Sequence, residues 1–426
     1  MIFLKKIKRN SFLRKSWALF WNFYNGFPAR NMTLIGITGT TGKTTLSFFL
    51  KNLFENNQEK IGLIGTAGYY FKEQTLYHLG TGPSTTPDPS LLFSLLKRMK
   101  KEGIRKVVLE VTSFGLMYFR TYSLKFKIAI LTNIDYNHHV AIHGSMEGYV
   151  KSKLSLFQSL RKDALAILPK ESPYFELFKK NTRAQVISYG FDPTSDYWAK
   201  ITREEKDSLE FEVFKNNQFF GPIKLKLPYK ENVLNALVTI IVGEYLNVDK
   251  EKIIKAIETL ETIPGRLELI EKEGIKVLID KANTPLAFKT IINFIQKINP
   301  LRKIVVYGNF GESPLEEREK LAELALNFFD LTIITEDDPL NEPPEKGIED
   351  FVRYAQKNNI DTSKYLSILG RKEAIFKALK EAHKGDLVAI LGRGNEKMMI
   401  YKDKKVPFED KKVVEDFFKN YESQRN

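Results

Sequence analysis

Ten consecutive residues near the amino terminus, Gly36-Ile37-Thr38-Gly39-Thr40-Thr41-Gly42-Lys43-Thr44-Thr45, lie between an apolar run and a helix-like segment. In a glycine-rich loop of this kind, successive backbone N–H groups converge on phosphate oxygens, and the following helix directs its positive end at them. The lysine supplies a positive charge, and the threonine hydroxyl can bind Mg²⁺. The usual phosphate-loop pattern has glycine where this chain has Ile37, so the sequence is a variant of it. We predict that this loop binds ATP or GTP.

The composition of the chain limits the class of protein. The chain has 426 residues, of which 43% are hydrophobic, so it is long enough to bury two or three cores. It contains no cysteine, which excludes disulfide bonds, thiolate metal sites and a cysteine nucleophile, and which agrees with a reducing cytoplasm. We therefore expect a multidomain cytoplasmic protein.

The first part of the chain is strongly basic. Its first 54 residues include nine Lys or Arg and no Asp or Glu, within a net charge of +14 for the whole chain. A run of large apolar side chains follows the first basic residues: Trp17, Leu19, Phe20, Trp21, Phe23 and Tyr24. This run is too short to span a membrane and has no small-residue cleavage site of a secretory signal. Two interpretations stay open, a helix that packs on the neighbouring domain and a basic amphipathic helix that also touches an anionic membrane surface.

Apolar runs alternate with helical patterns in the first half of the chain. The runs at residues 34–37, 61–64, 107–111, 128–132 and 164–168 predict the strands of a doubly wound, mostly parallel α/β sheet. Residues 209–214 and 223–227 alternate between apolar and polar side chains and predict a small antiparallel β appendage. Helical periodicity follows at residues 232–246 and 250–260.

The pair Pro264-Gly265 interrupts the chain, and an α/β alternation resumes after it. Apolar runs at residues 276–279, 303–307, 331–335 and 387–391 predict strands, and residues 314–328 and 371–382 predict helices. This pattern is typical of a Rossmann-like α/β domain. We therefore expect a basic aromatic helical segment at residues 1–31, a central nucleotide-binding domain at 32–263 and a carboxy-terminal domain at 264–426.

Further motifs follow the phosphate loop in a fixed order. They are Thr85-Thr86-Pro87, the strand end Glu110 with Val111-Thr112-Ser113, His143-Gly144, Tyr149 with Lys153, Glu231-Asn232-Val233-Leu234-Asn235-Ala236, Pro264-Gly265-Arg266-Leu267-Glu268, Asp280-Lys281-Ala282-Asn283-Thr284-Pro285 and Gly392-Arg393-Gly394-Asn395-Glu396. Together these motifs resemble the Mur ligase family, ATP-dependent enzymes that form amide bonds in peptidoglycan precursors. The resemblance covers roughly residues 32–418 and is strongest to the UDP-N-acetylmuramoyl-tripeptide synthetase branch.

The resemblance implies roles for individual residues. Catalytic roles fall on Lys43, Lys153, His143 and Asp280. Two Mg²⁺ ions would be bound by Thr44, Glu110, His143 and Lys153, the last as a carbamate formed with CO₂. ATP would be contacted by Gly39, Thr40, Gly42, Lys43, Thr44, Thr45, Asn232, Arg266, Arg318 and Arg371. The peptide and amino-acid substrates would be contacted by Thr85, Thr86, Ser113, Asp337, Asp338 and Glu396.

The sequence departs from the family pattern at several polar positions. Asn137 and Ala141 replace two acidic residues, and Lys281 and Asn283 replace a tyrosine and a histidine. Members that add diaminopimelate carry D-N-P-R, whose arginine binds the distal carboxylate of the acceptor. This chain has Leu340 at that position. Acidic residues surround it (Glu336, Asp337, Asp338 and Glu342), so we predict lysine or ornithine as the acceptor in preference to diaminopimelate.

The resemblance implies an ATP-dependent carboxylate–amine ligase that adds an amino acid to a UDP-N-acetylmuramoyl-dipeptide-like precursor through an acyl phosphate. The family usually opens with a uridine-nucleotide-binding domain of roughly a hundred residues, and we expect this chain to lack it. Two alternatives stay open: a related ligase with another substrate, folylpolyglutamate synthetase-like or amidating, and a catalytically weakened nucleotide-binding scaffold. The expected partners are a muramoyl-peptide nucleotide and an amino acid. No nucleic-acid partner and no oligomer are predicted.

Overall fold

The structure is a computed structural model that describes residues 10–71, 74–76, 85–135, 143–205 and 208–423. The chain divides into two compact units, Met1–Glu261 and Thr262–Asn426. Asn137, His138, His139 and Ala141 lie outside the described residues, as does the basic stretch before Asn10.

The amino-terminal unit is built on one sheet. Its strands are β1 (Thr33–Thr38), β2 (Ile61–Gly65), β3 (Gly68–Phe71), β4 (Gln74–Leu76), β5 (Lys106–Glu110), β6 (Phe126–Leu131), β7 (Leu165–Pro169), β8 (Gln185–Gly190), β9 (Tyr197–Glu204), β10 (Leu209–Lys215) and β11 (Gln218–Leu225). In the described residues the strand order is β11-β10-β9-β8-β7-β6-β1-β5-β2-β3-β4. The consecutive strands β9-β8-β7-β6-β1-β5-β2 of this order pair in parallel. The pairs β2–β3 and β3–β4 at one edge, and β9–β10 and β10–β11 at the other, are antiparallel.

Helices cover this sheet because its central strands are apolar on both faces. Leu34, Ile35 and Ile37 of β1 are at most 1% exposed. The helices are α1 (Ser11–Tyr24), α2 (Lys43–Asn56), α3 (Pro89–Lys101), α4 (Ser113–Met117), α5 (Met146–Gln158), α6 (Phe175–Lys180), α7 (Lys230–Tyr245) and α8 (Lys250–Glu258). No helix in the described part of the chain combines the length and the apolar character that crossing a bilayer requires.

The carboxy-terminal unit has a sheet and a small hairpin of its own. The sheet strands are β12 (Glu268–Lys272), β13 (Ile275–Asp280), β14 (Lys303–Phe310), β15 (Leu331–Asp337), β16 (Tyr365–Ser367) and β17 (Leu387–Leu391), and the hairpin strands are β18 (Met398–Ile400) and β19 (Lys405–Pro407). The sheet order is β12-β13-β17-β14-β15-β16, with only β12 antiparallel among the described strands. The helices are α9 (Pro285–Ile298), α10 (Leu315–Phe328), α11 (Lys346–Lys357), α12 (Arg371–Glu381) and α13 (Asp410–Ser423).

The predicted fold class is confirmed. Both units are α/β structures with mostly parallel sheets, and the predicted antiparallel appendage is formed by β9, β10 and β11 at the edge of the larger sheet. In the centre of that sheet β1 lies between β5 and β6, so the carboxyl ends of three parallel strands meet at one edge. Ligands of open α/β sheets bind at such an edge.

Candidate active site

The phosphate loop connects β1 to α2, and two of its glycines have backbone conformations that favour glycine. Gly39 has φ of 153°, and a Cβ there would overlap the Thr132 hydroxyl. Gly42 has φ of 81° and is the N-cap of α2. The backbone N–H groups of Thr40 and Thr41 donate to the Asn133 side-chain oxygen at 3.1 and 2.9 Å. The loop is therefore positioned by the residues that follow β6.

Two lysine side chains meet at this loop. Lys43 Nζ, at the start of α2, and Lys153 Nζ, on α5, each donate to the Gly39 carbonyl at 2.8 Å. Lys153 is 1% exposed and forms no ion pair within the described ranges. Burial, with the nearby charge of Lys43 as a second cause, lowers the pKa of Lys153 well below its usual value. Burial therefore favours the neutral form of the Lys153 amine more than in an exposed lysine.

Glu110 ends β5 beside the loop and is fully buried. Its Oε2 accepts hydrogen bonds from the hydroxyls of Thr44, at 3.1 Å, and Thr66, at 3.0 Å. Its Oε1 accepts from the backbone N–H of Thr66 at 3.2 Å. None of the ion pairs in the part of the chain that the structure describes involves Glu110. A buried carboxylate that is surrounded by neutral donors suits the binding of a cation.

His143 lies on the Lys153 side of the site. Its ring packs against Tyr149 and Phe114, with centroid distances of 5.4 and 5.7 Å. Burial, followed by the charge of Lys153, lowers the pKa of His143. Its Nε2 is buried and has no hydrogen-bond partner among the described residues. A neutral imidazole with a free ring nitrogen is a suitable metal ligand.

A cavity of about 290 Å³ opens beside the loop. Six of the predicted site residues line it: Gly39, Thr40, Lys43, Thr85, Ser113 and Lys153. Four further lining residues were not among the predicted site residues: Thr112, Phe114, Arg120 and Tyr149. Burial lowers the pKa of Arg120, and its guanidinium donates to the Thr86 carbonyl at 2.6 Å. The cavity therefore brings loop residues and predicted substrate residues together.

The site residues that were not predicted differ in how clearly the sequence indicates them. Arg120 is a charged side chain in a largely apolar and aromatic segment after Glu110, which is a usable signal. Asn133 and Thr66 act through contacts between distant segments, and no local pattern identifies them. The hydroxyl of Tyr149 lies 3.2 Å from the Thr40 hydroxyl, across α5 and the loop.

Three further predicted residues of this unit, Thr45, Thr86 and Asn232, are not among those that line the cavity. Thr86 is fully buried, where its hydroxyl donates to the Glu110 carbonyl at 2.9 Å and accepts from the Thr112 N–H at 2.8 Å. Thr45 is half-buried in the first turn of α2. Asn232 is buried in the first turn of α7, and its side-chain oxygen accepts from Asn235 at 3.0 Å.

In the carboxy-terminal unit the predicted substrate residues Asp337 and Asp338 surround Arg393. The Arg393 guanidinium donates to Asp337 Oδ1 at 3.1 Å and to Asp338 Oδ1 at 2.5 Å. All three side chains are at most 2% exposed. Burial raises the pKa of Asp337 from its ordinary 3.8 to about 7, and the charge of Arg393 only partly offsets this effect. The Oδ2 of Asp337 is buried without a partner in the described ranges.

Glu396 extends the same charged cluster. It forms an ion pair with Lys281, and its second oxygen lies 4.0 Å from Arg393. Although burial acts to raise it, the charges of Lys281 and Arg393 hold the pKa of Glu396 below its usual value. The cluster thus has three carboxylates (Asp337, Asp338 and Glu396) and two cations (Arg393 and Lys281). When all are ionised, it carries one excess negative charge.

Asp280, at the end of β13, is also buried. Burial raises the pKa of Asp280, against the opposing charge of Arg266 and the N–H groups of Leu267 and Ala282. The Leu267 N–H donates to Asp280 Oδ2 at 2.8 Å. The Asp280 carboxylate is therefore held by the segment that follows Gly265.

Two arginines that were predicted to contact ATP form internal ion pairs. Arg371 is 1% exposed and donates to both oxygens of Asp410, at 2.8 and 2.9 Å. Arg318 is 3% exposed and donates to Asp350 at 2.9 Å and to Glu342 at 2.5 Å. Both guanidinium groups therefore connect elements of the carboxy-terminal unit, and their contact with nucleotide stays a prediction.

The donor set suits a divalent cation at the loop. The Thr44 hydroxyl and the Glu110 carboxylate are oxygen ligands of the type that Mg²⁺ prefers. The described residues hold no group of three or more His, Cys, Asp or Glu side chains that could bind a metal. Phosphate oxygens of a bound nucleotide would supply further ligands, and metal binding by His143 and Lys153 stays a prediction.

Comparisons with known proteins show which families and proteins the chain is similar to. The sequence matches the Mur ligase middle domain over residues 37–243 and the Mur ligase glutamate ligase domain over residues 265–394. It is 32% identical to the UDP-N-acetylmuramoyl-L-alanyl-D-glutamate--2,6-diaminopimelate ligase of Clostridium botulinum, over 95% of this chain and 82% of that protein. It is also 32% identical to UDP-N-acetylmuramyl-tripeptide synthetase 2 of Oceanobacillus iheyensis, over 91% and 78% of the two chains.

The fold has relatives among solved structures as well. A structure of a UDP-N-acetylmuramoyl-L-alanyl-D-glutamate--2,6-diaminopimelate ligase matches with a TM-score of 0.62 and 24% identity, over 95% of this chain and 82% of that one. The two domain matches cover the loop, Glu110, Lys153, Asp337, Asp338 and Arg393 in this order along the chain. The chain therefore belongs to the Mur ligase family of ATP-dependent ligases.

Proposed function

We propose that this protein is an ATP-dependent ligase that adds an amino acid to a UDP-N-acetylmuramoyl-dipeptide-like precursor. The observation that carries the proposal is the convergence of Lys43 and Lys153 on the Gly39 carbonyl, next to the buried Thr44–Glu110 pair. This arrangement provides positive charge and a cation-binding carboxylate at one phosphate loop. Similarity to two proteins named as ligases of this class supports the substrate assignment.

In the proposed reaction the protein positions three reactants. A carboxylate oxygen of the muramoyl peptide attacks the γ-phosphorus of ATP, the bond to the β-phosphate oxygen breaks, and ADP leaves. The amine of the acceptor then attacks the acyl carbon, phosphate leaves with the electron pair of its bond, and the amine loses a proton. Lys43 and the amino-terminal end of α2 stabilise the charge on the transferred phosphoryl group. Thr85, Ser113 and Arg120 line the same cavity and would hold the peptide substrate.

Thr44 and Glu110 would bind Mg²⁺ in this site. Bound Mg²⁺ supplies Lewis acidity and neutralises phosphate charge. We further propose that Lys153 reacts with CO₂ to form a carbamate, whose oxygens add ligands beside His143. The lowered pKa of Lys153 supports this step, because only the neutral amine is nucleophilic.

Carbamylation of Lys153 has a direct test. Protein equilibrated with ¹³C-bicarbonate should show a ¹³C carbamate resonance that is lost in Lys153→Arg. Lys151→Arg, on the same helix but exposed, is the matched control and should keep the resonance. A resonance that persists in Lys153→Arg contradicts the carbamate.

The acceptor that we propose is lysine or ornithine. The acidic residues around Leu340 (Glu336, Asp337, Asp338 and Glu342) favour a cationic side chain over the carboxylate of diaminopimelate. Leu340 offers no charge to a distal carboxylate. Because the relatives named above include diaminopimelate ligases, the acceptor is the part of the proposal that needs a direct comparison.

The experiment is product analysis by mass spectrometry. Protein, ATP, Mg²⁺ and UDP-N-acetylmuramoyl-L-alanyl-D-glutamate are incubated with lysine, ornithine or meso-diaminopimelate, and release of ADP is measured in parallel. We expect a tripeptide product with lysine or ornithine, and ADP release that depends on both peptide and amine. Exclusive use of diaminopimelate overturns the acceptor assignment alone. The main proposal is overturned if ADP release requires a pteroyl substrate or an amidating amine in place of the peptide and amino acid. It is also overturned if ADP is released equally well when no acceptor is present.

The place of action is part of the proposal. We propose that the enzyme works in the cytoplasm, where its nucleotide-linked substrate and ATP are available, with α1 in peripheral contact with a membrane. The absence of cysteine agrees with a reducing compartment.

A further inference from the structure

We propose that α1 carries a docking surface for anionic lipid, formed by Phe12, Leu19, Phe20, Phe23, Tyr24 and Phe27. We call these six side chains the aromatic face. The proposal rests on the peripheral membrane contact proposed above and names its side chains and its class of lipid; none of the predicted catalytic, nucleotide-binding or substrate residues lies on this surface.

The aromatic face is turned outward. Phe12, Phe23 and Tyr24 are 72%, 70% and 65% exposed, and the other three members are between 45% and 51% exposed. At 3.6 residues per turn, Phe12, Leu19 and Phe23 fall on one stripe of α1 and Phe20 and Tyr24 lie beside it, and Phe27 follows the end of the helix. A helix on the surface of a globular protein normally directs this apolar stripe toward the core. Here the stripe lies on the solvent side.

The opposite side of α1 is fixed to the amino-terminal unit. Ala18 and Asn22 are buried, and the Asn22 side chain donates to the Ser123 hydroxyl at 2.9 Å. The Trp17 ring N–H donates to Asp88 at 3.4 Å, and the Arg14 guanidinium donates to the Met117 carbonyl at 3.3 Å. Because the inner side is occupied by these contacts, rotation of the helix to bury the aromatic face would break them.

The rings of the helix are also packed against one another. Phe20 and Tyr24 stack with centroids 6.0 Å apart, and Phe23 meets Phe27 edge-on at 6.0 Å. Such contacts hold the rings in place before any partner binds, which reduces the entropy lost on docking. Aromatic side chains on an amphipathic helix favour the boundary between headgroups and acyl chains.

The charge of the chain segment that contains the aromatic face indicates the partner. Within the first 54 residues all the charged side chains are basic: Lys5, Lys6, Lys8, Arg9, Arg14, Lys15, Arg30, Lys43 and Lys51. Basic residues next to an interfacial helix are attracted to anionic lipid. A second copy of this chain would bring an equally basic segment against the first, and like charges oppose that contact. An anionic bilayer satisfies both the apolar and the electrostatic character of the surface.

The test is flotation of the full-length protein with lipid vesicles, in the absence of nucleotide and substrate. One set contains phosphatidylcholine with phosphatidylglycerol, and the other contains phosphatidylcholine alone. We expect binding to the anionic vesicles that falls at least about tenfold in neutral vesicles or at high salt. The variant Phe20→Ser/Phe23→Ser should lower the bound fraction by about tenfold or more. Both positions are exposed, so the fold should be retained, which circular dichroism checks.

The matched control is Phe219→Ser/Leu301→Ser. These side chains are 59% and 81% exposed and lie on β11 and in the loop before β14, so the control removes similar exposed apolar area elsewhere. It should bind vesicles like the unmodified protein. The proposal is overturned if the full-length protein does not bind anionic vesicles, if neutral vesicles bind it equally, or if the control and the α1 variant lose binding alike. Self-association in ultracentrifugation that requires Phe20 and Phe23, without vesicle binding, identifies a second copy as the partner and also overturns it. Ligase activity is measured separately, so its loss does not affect the outcome.

Discussion

In the amino-terminal unit two lysine amines meet at one backbone carbonyl, whereas in the carboxy-terminal unit each of three buried arginines meets carboxylates. Lys43 and Lys153 both donate to Gly39. Arg393, Arg371 and Arg318 are each paired with one or two buried or half-buried acids. The first arrangement places positive charge at a cavity, and the second uses positive charge to hold strands and helices together.

This difference indicates what each region can do. Positive charge at the lining of a cavity can meet a ligand, and a phosphate group is the natural ligand for Lys43 at a glycine-rich loop. Charge that is already paired in the interior mainly supports the fold, and removal of one partner leaves the other uncompensated. The contrast predicts that substitutions in the two regions have opposite effects on activity and stability.

The largest expected effect is on the stability of the carboxy-terminal unit. Arg393→Met leaves Asp337 and Asp338 buried without their cation, and should lower the free energy of unfolding by about 3–5 kcal/mol. Urea denaturation checks this value. The control is Arg353→Met, whose side chain is 58% exposed in its ion pair with Asp350 and should cost less than about 1 kcal/mol. Equal losses of unfolding free energy in Arg393→Met and Arg353→Met would contradict the claim that the buried ion pairs of Arg393 support the fold.

The next effect is on catalysis in the amino-terminal unit. Lys43→Met should lower kcat by about 10²–10³-fold, because a charge that stabilises the transferred phosphoryl group is lost. Its free energy of unfolding should change by less than about 1 kcal/mol. ADP release in the presence of peptide and amino acid measures the rate. Lys51→Met, at an exposed ion pair on the same helix, is the control and should retain near-normal kcat.

The third prediction concerns pH. The pKa of Asp337 is about 7 in the fold and 3.8 ordinarily, so between these values the folded state binds more protons than the unfolded state. The contribution of Asp337 to stability is therefore complete below pH 3.8 and is lost as pH rises toward 7. Asp337→Asn should remove this decline in unfolding free energy, measured by denaturation at a series of pH values. Asp403→Asn, at an exposed turn between β18 and β19, should leave the decline in place.

The smallest expected effect is a coupling free energy between the side chains of Lys281 and Glu396. Both side chains are less than a fifth exposed, so a double-mutant cycle with Lys281→Met and Glu396→Gln should give a coupling energy of about 1 kcal/mol. The same cycle at the more exposed Lys377–Glu381 pair should give about 0.3–0.5 kcal/mol. A larger coupling at the exposed pair would contradict the assignment of Glu396 to the internal cluster.

Much of the fold was predictable because its strands are apolar runs. The run at 387–391 coincides with β17, and the predicted strands at 303–307 and 331–335 begin where β14 and β15 begin. The pairing of strands was not predictable, because order in a sheet depends on contacts between distant segments. The continuity of β9–β11 with the parallel strands, and the hairpin of β18 and β19, therefore emerge only from the structure.

In the candidate site, too, residues in local motifs were predictable and contacts between distant segments were not. Lys43, Thr44 and Glu110 were identified because each has a fixed place in a local motif, and the structure brings Thr44 and Glu110 into contact. The ion pairs of Arg371 with Asp410 and of Arg318 with Asp350 join residues 39 and 32 positions apart. No local pattern reports such partners, so the sequence could not distinguish an arginine that awaits a ligand from one that is already paired.

The Gly39 carbonyl accepts from two lysines, and this affects how far the loop conformation depends on either side chain. Since one carbonyl oxygen receives two donors, the loss of either lysine leaves the other in place to hold the backbone. A carbamate on Lys153 would keep one N–H on its nitrogen while it adds a negative charge, so the electrostatic potential of the cavity can change and the loop conformation can persist. The backbone shape and the charge of the cavity are in this sense independently adjustable.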